Sequence, residues 1–336
     1  MNRGQYVVYP SFPEHTPKMV DCAQMSPVAC AAALLTLARE RASEDLTRTY
    51  SRICGMIAAY GAARDVVLAM RSGELPVPLA PESLFVAEFV DAAVAAAAQL
   101  VEGWSAAGLQ AHAIATVTYP RQLEEIVDAP PIVFHHGAHE AIHTFGLAVV
   151  GTRKASPDGL KRARRAATAL AENGITVVSG MALGIDTAAH EATIAAGGVT
   201  VAVMGTPITK RYPRENAALA DAIVAAGGAL VTEYPPTWTT QRWDFLRRNR
   251  TMSGIAAATL VIEASETSGA KSQAVAAVQH GRLVFLPSSL VQAHRWAHAL
   301  VTDGVNGVRA IEIKDIDTLI AMIVPGAGQD VELAVI

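Results

Sequence analysis

Six short apolar runs between residues 147 and 287, most of them followed by a segment of helical periodicity, limit the fold more than any other feature of the chain. The runs are rich in β-branched residues and lack apolar–polar alternation, which is typical of parallel strands covered on both faces. The sequence therefore predicts a doubly wound α/β fold with a mostly parallel sheet. The predicted strands are 147–151, 175–179, 199–205, 229–233, 258–264 and 283–287, and the predicted helices are 157–173, 186–196, 215–226, 271–280 and one near 293–301.

The part of the chain before this alternation has a different pattern. Residues 26–108 are rich in alanine and leucine at helical spacing, with stop signals at Gly73 and at the prolines that follow it. We therefore predict three parts. They are a helical N-terminal module over 1–112, an α/β core over 113–312, and a short C-terminal helix and tail over 313–336.

Composition narrows the class of protein. A hydrophobic fraction of 51% excludes disorder as the main state, and the chain has no apolar run of the roughly 20 residues that a membrane span needs. The N-terminus shows no secretory signal, so we predict a cytoplasmic protein that does not bind membranes. Its three cysteines form no CxxC pair, which fits a reducing compartment and gives no indication of zinc. No cofactor is predicted.

Charge is distributed unevenly along the chain. The net charge is −4, yet residues 145–310 hold 17 Lys and Arg against 11 Asp and Glu. A basic core in an acidic chain suits a polyanionic partner. On charge alone, solvated arginines on helix faces explain the pattern equally well.

Two glycine-containing loops follow the first two predicted strands. In the first, Arg153 and Lys154 stand between a strand-ending glycine and Ser156, so they either face an anion or merely precede a helix cap. The second, 179–186, has two glycines that permit close backbone approach. Its Asp186 and His190 are too few ligands for a zinc site, and the usual dinucleotide and P-loop fingerprints are absent.

Three further segments carry cations. Residues 205–216 contain three cations around Tyr212, and residues 242–250 interleave arginines with aromatic residues. That mixture is typical of sites where cations hold a backbone while bases stack on rings, although Trp243 and Phe245 equally suit a core position. After the strand 258–264, Ser268 and Gly269 begin a helix whose first turn holds Lys271, which favours an anion.

Taken in order, these segments resemble the DprA/Smf family of DNA-processing proteins. The motifs that carry the resemblance are VVGTRKASPDGL, VVSGMALGIDTAAH, AVMGTPITKRYPRENAAL, GALVTEYPP, WDFLRRNR and LVIEASETSGA, and the resemblance extends over about 119–309. The chain departs from the family at Leu183, where an arginine is usual, and at Lys271, where an apolar residue is usual.

The resemblance implies a Rossmann-like core that binds single-stranded DNA. It also implies a homodimer that protects incoming DNA and helps load RecA in natural transformation or recombination, without a catalytic step. The predicted DNA- or phosphate-binding residues are Gly151, Arg153, Lys154, Ser179, Gly180, Gly184, Lys210, Arg211, Arg247, Arg248, Asn249, Arg250, Ser268, Gly269 and Lys271. No catalytic or metal-binding residue is predicted.

Two other functions remain open at this point. The same pocket suits a nucleotide-sensing or phage-defence regulator, which would bind a nucleotide saturably and without length dependence. A nucleotide N-glycosidase ranks last, because the PGGxGTxxE motif associated with that activity is absent from the sequence.

Overall fold

The computed structural model describes residues 25–38, 45–78 and 86–324. They form two compact units. The first comprises the described residues up to His136 together with Thr232–Gln241, and the second comprises Gly137–Val231 and the described residues from Arg242 onward. The predicted boundaries at 112/113 and 312/313 differ from this division and stay a prediction.

The first unit is mainly helical. Ser26 caps the first helix by accepting a hydrogen bond from the Ala29 N–H, and a proline occupies the first helical position. The helix is buried on nearly all sides, and most of its buried side chains are alanine and leucine. The unit contains α1 (Pro27–Leu37), α2 (Leu46–Tyr60), α3 (Ala63–Arg71), α4 (Val86–Ala106), α5 (Arg121–Glu124) and the antiparallel strands β1 (Gln110–Ala113) and β2 (Ile132–Gly137).

The second unit is built on a parallel sheet with the order β6-β5-β4-β3-β7-β8-β9. The doubly wound α/β prediction is therefore confirmed. The strands are β3 (Gly146–Gly151), β4 (Thr176–Ser179), β5 (Thr200–Val203), β6 (Ala229–Thr232), β7 (Ala258–Glu263), β8 (Leu283–Pro287) and β9 (Ile311–Ile313).

Helices follow these strands and cover the sheet. In one of them, Ala163, Ala167 and Leu170 pack against a core that includes Leu147 and Val177. The helices are α6 (Pro157–Glu172), α7 (Ile185–Ala195), α8 (Ala217–Ala225), α9 (Asp244–Ile255), α10 (Gly269–Gln279), α11 (Ser288–Ala293), α12 (Arg295–Thr302) and α13 (Ile316–Ile323).

The structure corrects three sequence expectations. The arginine-rich segment 242–250, for which no helix was predicted, is largely part of helix α9, and polar residues on the buried face of that helix interrupt its apolar period. The helix predicted near 293–301 is α12, and the extended residue His294 separates it from α11, which was not predicted. Strands β1, β2 and β9 were not predicted.

A helix needs about 20 apolar residues to span a bilayer. Among the described residues, no single helix is long and apolar enough to do so. Only α2 and α3 together meet the length and composition requirements, and they are bent by 91° at the break between them.

Candidate nucleic-acid interface

A cleft of about 800 Å³ opens at the carboxyl ends of β3 and β7. These strands are neighbours, and the chain continues from β3 toward one edge of the sheet and from β7 toward the other. Doubly wound folds bind ligands at such a topological switch point. The walls come from the loops after β3, β4, β5 and β7, the first turn of α7, the first two turns of α10, and helix α9 with the two residues before it.

The loop after β3 brings two exposed cations to the cleft. Gly151 ends the strand where a Cβ atom would collide with the Ile185 side chain, and the next N–H donates to the carbonyl oxygen of Glu263 across 2.7 Å. The Ser156 hydroxyl caps α6 and donates to the Glu263 carboxylate at 2.7 Å. Arg153 and Lys154 stand exposed between these anchors, so an anchored loop presents two positive charges to solvent.

The loop after β4 is held from below by Asp186. Its carboxylate accepts hydrogen bonds from the N–H groups of Gly180 and Ala182, both at 3.2 Å. Gly184 has a φ of +82°, and a Cβ there would collide with the backbone oxygens of Thr152 and Arg153. Close packing of the two loops therefore requires glycine at this position.

Arg248 lies in the floor of the cleft and is 7% exposed. Its guanidinium donates to the carbonyl oxygens of Gly180 and Val203, the second at 2.7 Å. Burial raises the pKa of Asp186, and the charge of Arg248 opposes that rise. Burial also lowers the pKa of His190 to about 3, with Arg248 adding to the effect. Arg248 thus joins α9 to the ends of β4 and β5, and its contact with DNA stays a prediction.

The other residues of the arginine run, 247–250, are buried or half-buried. The Asn249 amide donates to the carbonyl oxygen of Gly269 at 3.1 Å and so joins α9 to the start of α10. Arg247 and Arg250 are half-buried and do not line the cleft. Of this run, only Arg248 and Asn249 reach the cleft, and both are buried.

The basic segment after β5 contributes little to the cleft wall. Lys210 is exposed outside the lining. Arg211 is held by the carbonyl oxygen of Ile208 at 2.8 Å and by the Asp221 carboxylate at 3.0 Å. Both residues therefore stay predictions as DNA contacts.

The loop after β7 ends at the N-terminus of α10. Ser268 caps that helix by accepting from the Ala270 N–H at 3.2 Å, and Ser268 and Gly269 line the cleft. Lys271 lies outside the lining, with its ammonium 3.8 Å from the Glu266 carboxylate. A helix N-terminus without an acidic residue in its first turn favours an anion nearby.

An apolar ledge, formed by Tyr212, Trp243 and Leu246, is the feature that the site prediction missed. These side chains line the cleft and are 50%, 55% and 54% exposed. The Tyr212 ring lies 5.3 Å from that of Phe245, which is half-buried. Exposed Arg242 stands beside the ledge. The alternation of aromatic residues and arginines was the available signal, but it did not separate exposed rings from core rings.

Comparison with known families shows which family the chain belongs to. The family model described as DNA recombination-mediator protein A matches residues 110–318, which is well over half of the chain. The chain belongs to this family. The resemblance to DprA/Smf proteins is therefore confirmed.

Several relatives carry the same core. Protein Smf of Escherichia coli (strain K12) is 41% identical over 167 residues, which cover 50% of this chain and 45% of that protein. DNA processing protein DprA of Streptococcus pneumoniae is 37% identical over 188 residues, which cover 55% of this chain and 66% of that protein. The chain thus matches about half to two thirds of the length of these DprA/Smf relatives.

Two solved DprA structures have a similar fold. The X-ray structure of DprA from Streptococcus pneumoniae has a TM-score of 0.57 at 25% identity and covers 86% of this chain and 91% of that chain. DprA from Helicobacter pylori, a protein with a single-stranded DNA binding mode, has a TM-score of 0.55 at 23% identity and covers 64% of this chain and 94% of that chain. The second likeness supports the fold alone.

The cleft of this DprA/Smf core gathers about half of the predicted site residues. Below the lining, Ser179 is fully buried and donates to the carbonyl oxygen of Val149 at 2.6 Å. Gly180 and Gly184 shape the loop above it without lining the cleft. All fifteen roles in DNA binding stay predictions. The predicted residues that line the cleft are Gly151, Arg153, Lys154, Arg248, Asn249, Ser268 and Gly269.

Proposed function

We propose that this protein is a DNA-processing protein of the DprA type that binds single-stranded DNA in the cleft between the ends of β3 and β7. One observation carries the proposal: exposed Arg153, Lys154 and Arg242 share a single cleft with the exposed rings of Trp243 and Tyr212. Cations attract the phosphates of any nucleic acid, whereas an exposed ring stacks only on a base that has left the duplex. The combination favours single strands.

The relatives act on the same class of ligand. The Helicobacter pylori DprA has a single-stranded DNA binding mode, and the Streptococcus pneumoniae relative is a DNA processing protein. Residues of this chain suit such a ligand at the point where parallel sheets bind anionic groups. We infer binding and protection of the strand as the function, with no catalytic step.

We further propose that the bound strand passes to RecA in natural transformation or recombination, and that the protein acts as a homodimer. The family description as a recombination mediator supports this role. The test is the rate of RecA filament assembly on DNA coated with a single-strand-binding protein, with sedimentation of the free protein for the oligomeric state. Unchanged assembly would remove RecA from the proposal, and sedimentation as a monomer would remove the homodimer.

Trp243→Ala tests the stacking part of the cleft. A stacked base contributes about 1–3 kcal/mol, so we expect roughly tenfold weaker binding of single strands by fluorescence anisotropy. Phe145→Ala is the matched control, because Phe145 is 47% exposed and does not line the cleft. An oligonucleotide with abasic sites should lose affinity for the wild-type protein and not for Trp243→Ala.

If abasic sites weaken binding to the wild-type protein and to Trp243→Ala by the same factor, stacking on Trp243 is excluded. Saturable binding of mononucleotides, with no gain in affinity for longer strands, would instead favour the nucleotide-sensing alternative. Both outcomes come from the same titrations.

A further inference from the structure

The outer face of α6 is strongly basic, and its cations do not line the cleft. The opposite face of the helix is buried through Ala163, Ala166, Ala167 and Leu170. The cationic side chains therefore point away from the core, and all four are exposed. We call them the α6 basic face: Lys161, Arg162, Arg164 and Arg165.

This face carries charge that the protein only partly neutralises. Like charges three and four residues apart repel along a helix, by about 0.2–0.5 kcal/mol per pair. Arg165 pairs with Asp317 at 2.8 Å, and Arg162 lies 3.8 Å from the Glu263 carboxylate. Within the part of the chain that the structure describes, Lys161 and Arg164 form no ion pair. A polyanion is the partner that would relieve this repulsion.

The α6 basic face begins at the cleft. Arg153 and Lys154 immediately precede the cap of α6, and both line the cleft. With a rise of 1.5 Å per residue, Lys161 lies about 6 Å and Arg165 about 12 Å along the helix from its first residue. Helical side chains lean toward the N-terminus, which here is the direction of the cleft. The cations thus continue outward from the two at the rim.

We propose that a single strand bound in the cleft continues over the α6 basic face, where Lys161 and Arg164 contact the phosphates that follow. This inference rests on the proposed function of the cleft. In this arrangement α6 contacts only strands that are longer than the cleft can hold. Affinity for DNA and its salt dependence should therefore grow with strand length.

The test is the double variant Lys161→Ala/Arg164→Ala, titrated by anisotropy with two oligothymidylates. One is about 6 nucleotides, enough for the cleft alone, and the other about 30 nucleotides. For the long strand we expect binding to weaken roughly five- to tenfold and the salt slope to fall by about 1.4, since each lost phosphate contact on a single strand removes about 0.7. The short strand should change less than about twofold, because its contacts lie within the cleft.

Arg309→Ala/Lys314→Ala is the matched control, with the same loss of charge at two exposed positions outside the cleft. All three proteins should have the same melting temperature. An equal loss in the control, or an equal loss for both strand lengths, overturns the proposed path. If the wild-type protein binds neither strand, the proposed function fails and this inference fails with it.

Discussion

Arg153 and Arg248 line the same cleft in opposite environments. Arg153 is exposed, on a loop anchored at both ends, whereas Arg248 is 7% exposed and donates to two backbone carbonyl oxygens. A solvated guanidinium is available to an incoming anion, but a buried one is costly unless fixed partners satisfy it. Arginines that line one cleft therefore differ in what they can do: an exposed one is available to a ligand, whereas a buried one holds the cleft in shape. We call the two groups the rim (Arg153, Lys154 and Arg242) and the floor (Asp186, Arg248 and Asn249).

The largest effect should come from the floor. Arg248→Met removes donors to Gly180 and Val203 and leaves Asp186 without its neighbouring charge. Breaking such a buried arrangement costs about 3–5 kcal/mol, so urea unfolding should show a loss of that size. The rim variant Arg242→Met should change stability by less than about 0.5 kcal/mol. Comparable losses in the two variants would break the division between floor and rim.

Acid should weaken the structure beneath the floor through His190. Its pKa is lowered from 6.5 to about 3, so the unfolded chain takes up a proton that the folded protein does not. Stability is therefore lost as pH falls from 6.5 toward 3, by up to about 1.4 kcal/mol per pH unit.

The raised pKa of Asp186 acts in the opposite direction at pH values above its ordinary 3.8, so the contribution of His190 is isolated by a variant that changes this residue alone. The measurement is urea unfolding at several pH values for the wild-type protein and His190→Gln. The variant should lose most of this slope, and an unchanged slope would show that His190 is protonated in the folded protein.

Gly184→Ala should disturb the close contact between the loops after β3 and β4. The new Cβ would meet the backbone of Thr152 and Arg153, and the φ of +82° adds strain, for a total cost of about 2 kcal/mol. Gly174→Ala is the control, because its φ is +70° and it faces open space. The control should cost about 1 kcal/mol and leave DNA affinity unchanged. Gly184→Ala should also weaken DNA binding, and equal effects of the two variants would remove the close approach as the cause.

The smallest effect on stability should come from the rim. Arg153→Ala should leave the free energy of unfolding within about 0.5 kcal/mol, because its side chain is exposed. Affinity for single strands should fall severalfold, and the salt slope should fall by about 0.7. Anisotropy titrations at several salt concentrations measure both quantities. An unchanged slope would mean that Arg153 holds no phosphate.

Sequence reasoning captured the sheet because its signal is local. The β-branched runs at 147–151 and 258–264 have few other conformations open to them, and the glycine loops mark where backbones must approach. Strand β9 was missed because three residues carry too little pattern. Helix α9 was missed because polar residues such as Arg248, Asn249 and Thr251 make up much of its buried face.

The division of the site into rim and floor could not be predicted from the sequence. The sequence alone does not distinguish Arg153 from Arg248, since each stands beside another cation in a motif of the family. Their burial depends on which strands are neighbours in the folded sheet, and only the structure gives that order. The same holds for Trp243, whose ring suited the core as well as it suits the exposed ledge.

The most direct test of DNA binding at the cleft is an anisotropy titration with one labelled sequence, single-stranded and as a duplex, between about 50 and 200 mM salt. We predict tighter binding of the single strand, a steep loss of affinity with salt, and weaker binding of the single strand by Trp243→Ala. Equal affinity for single strand and duplex, or no binding at low salt, would contradict the account.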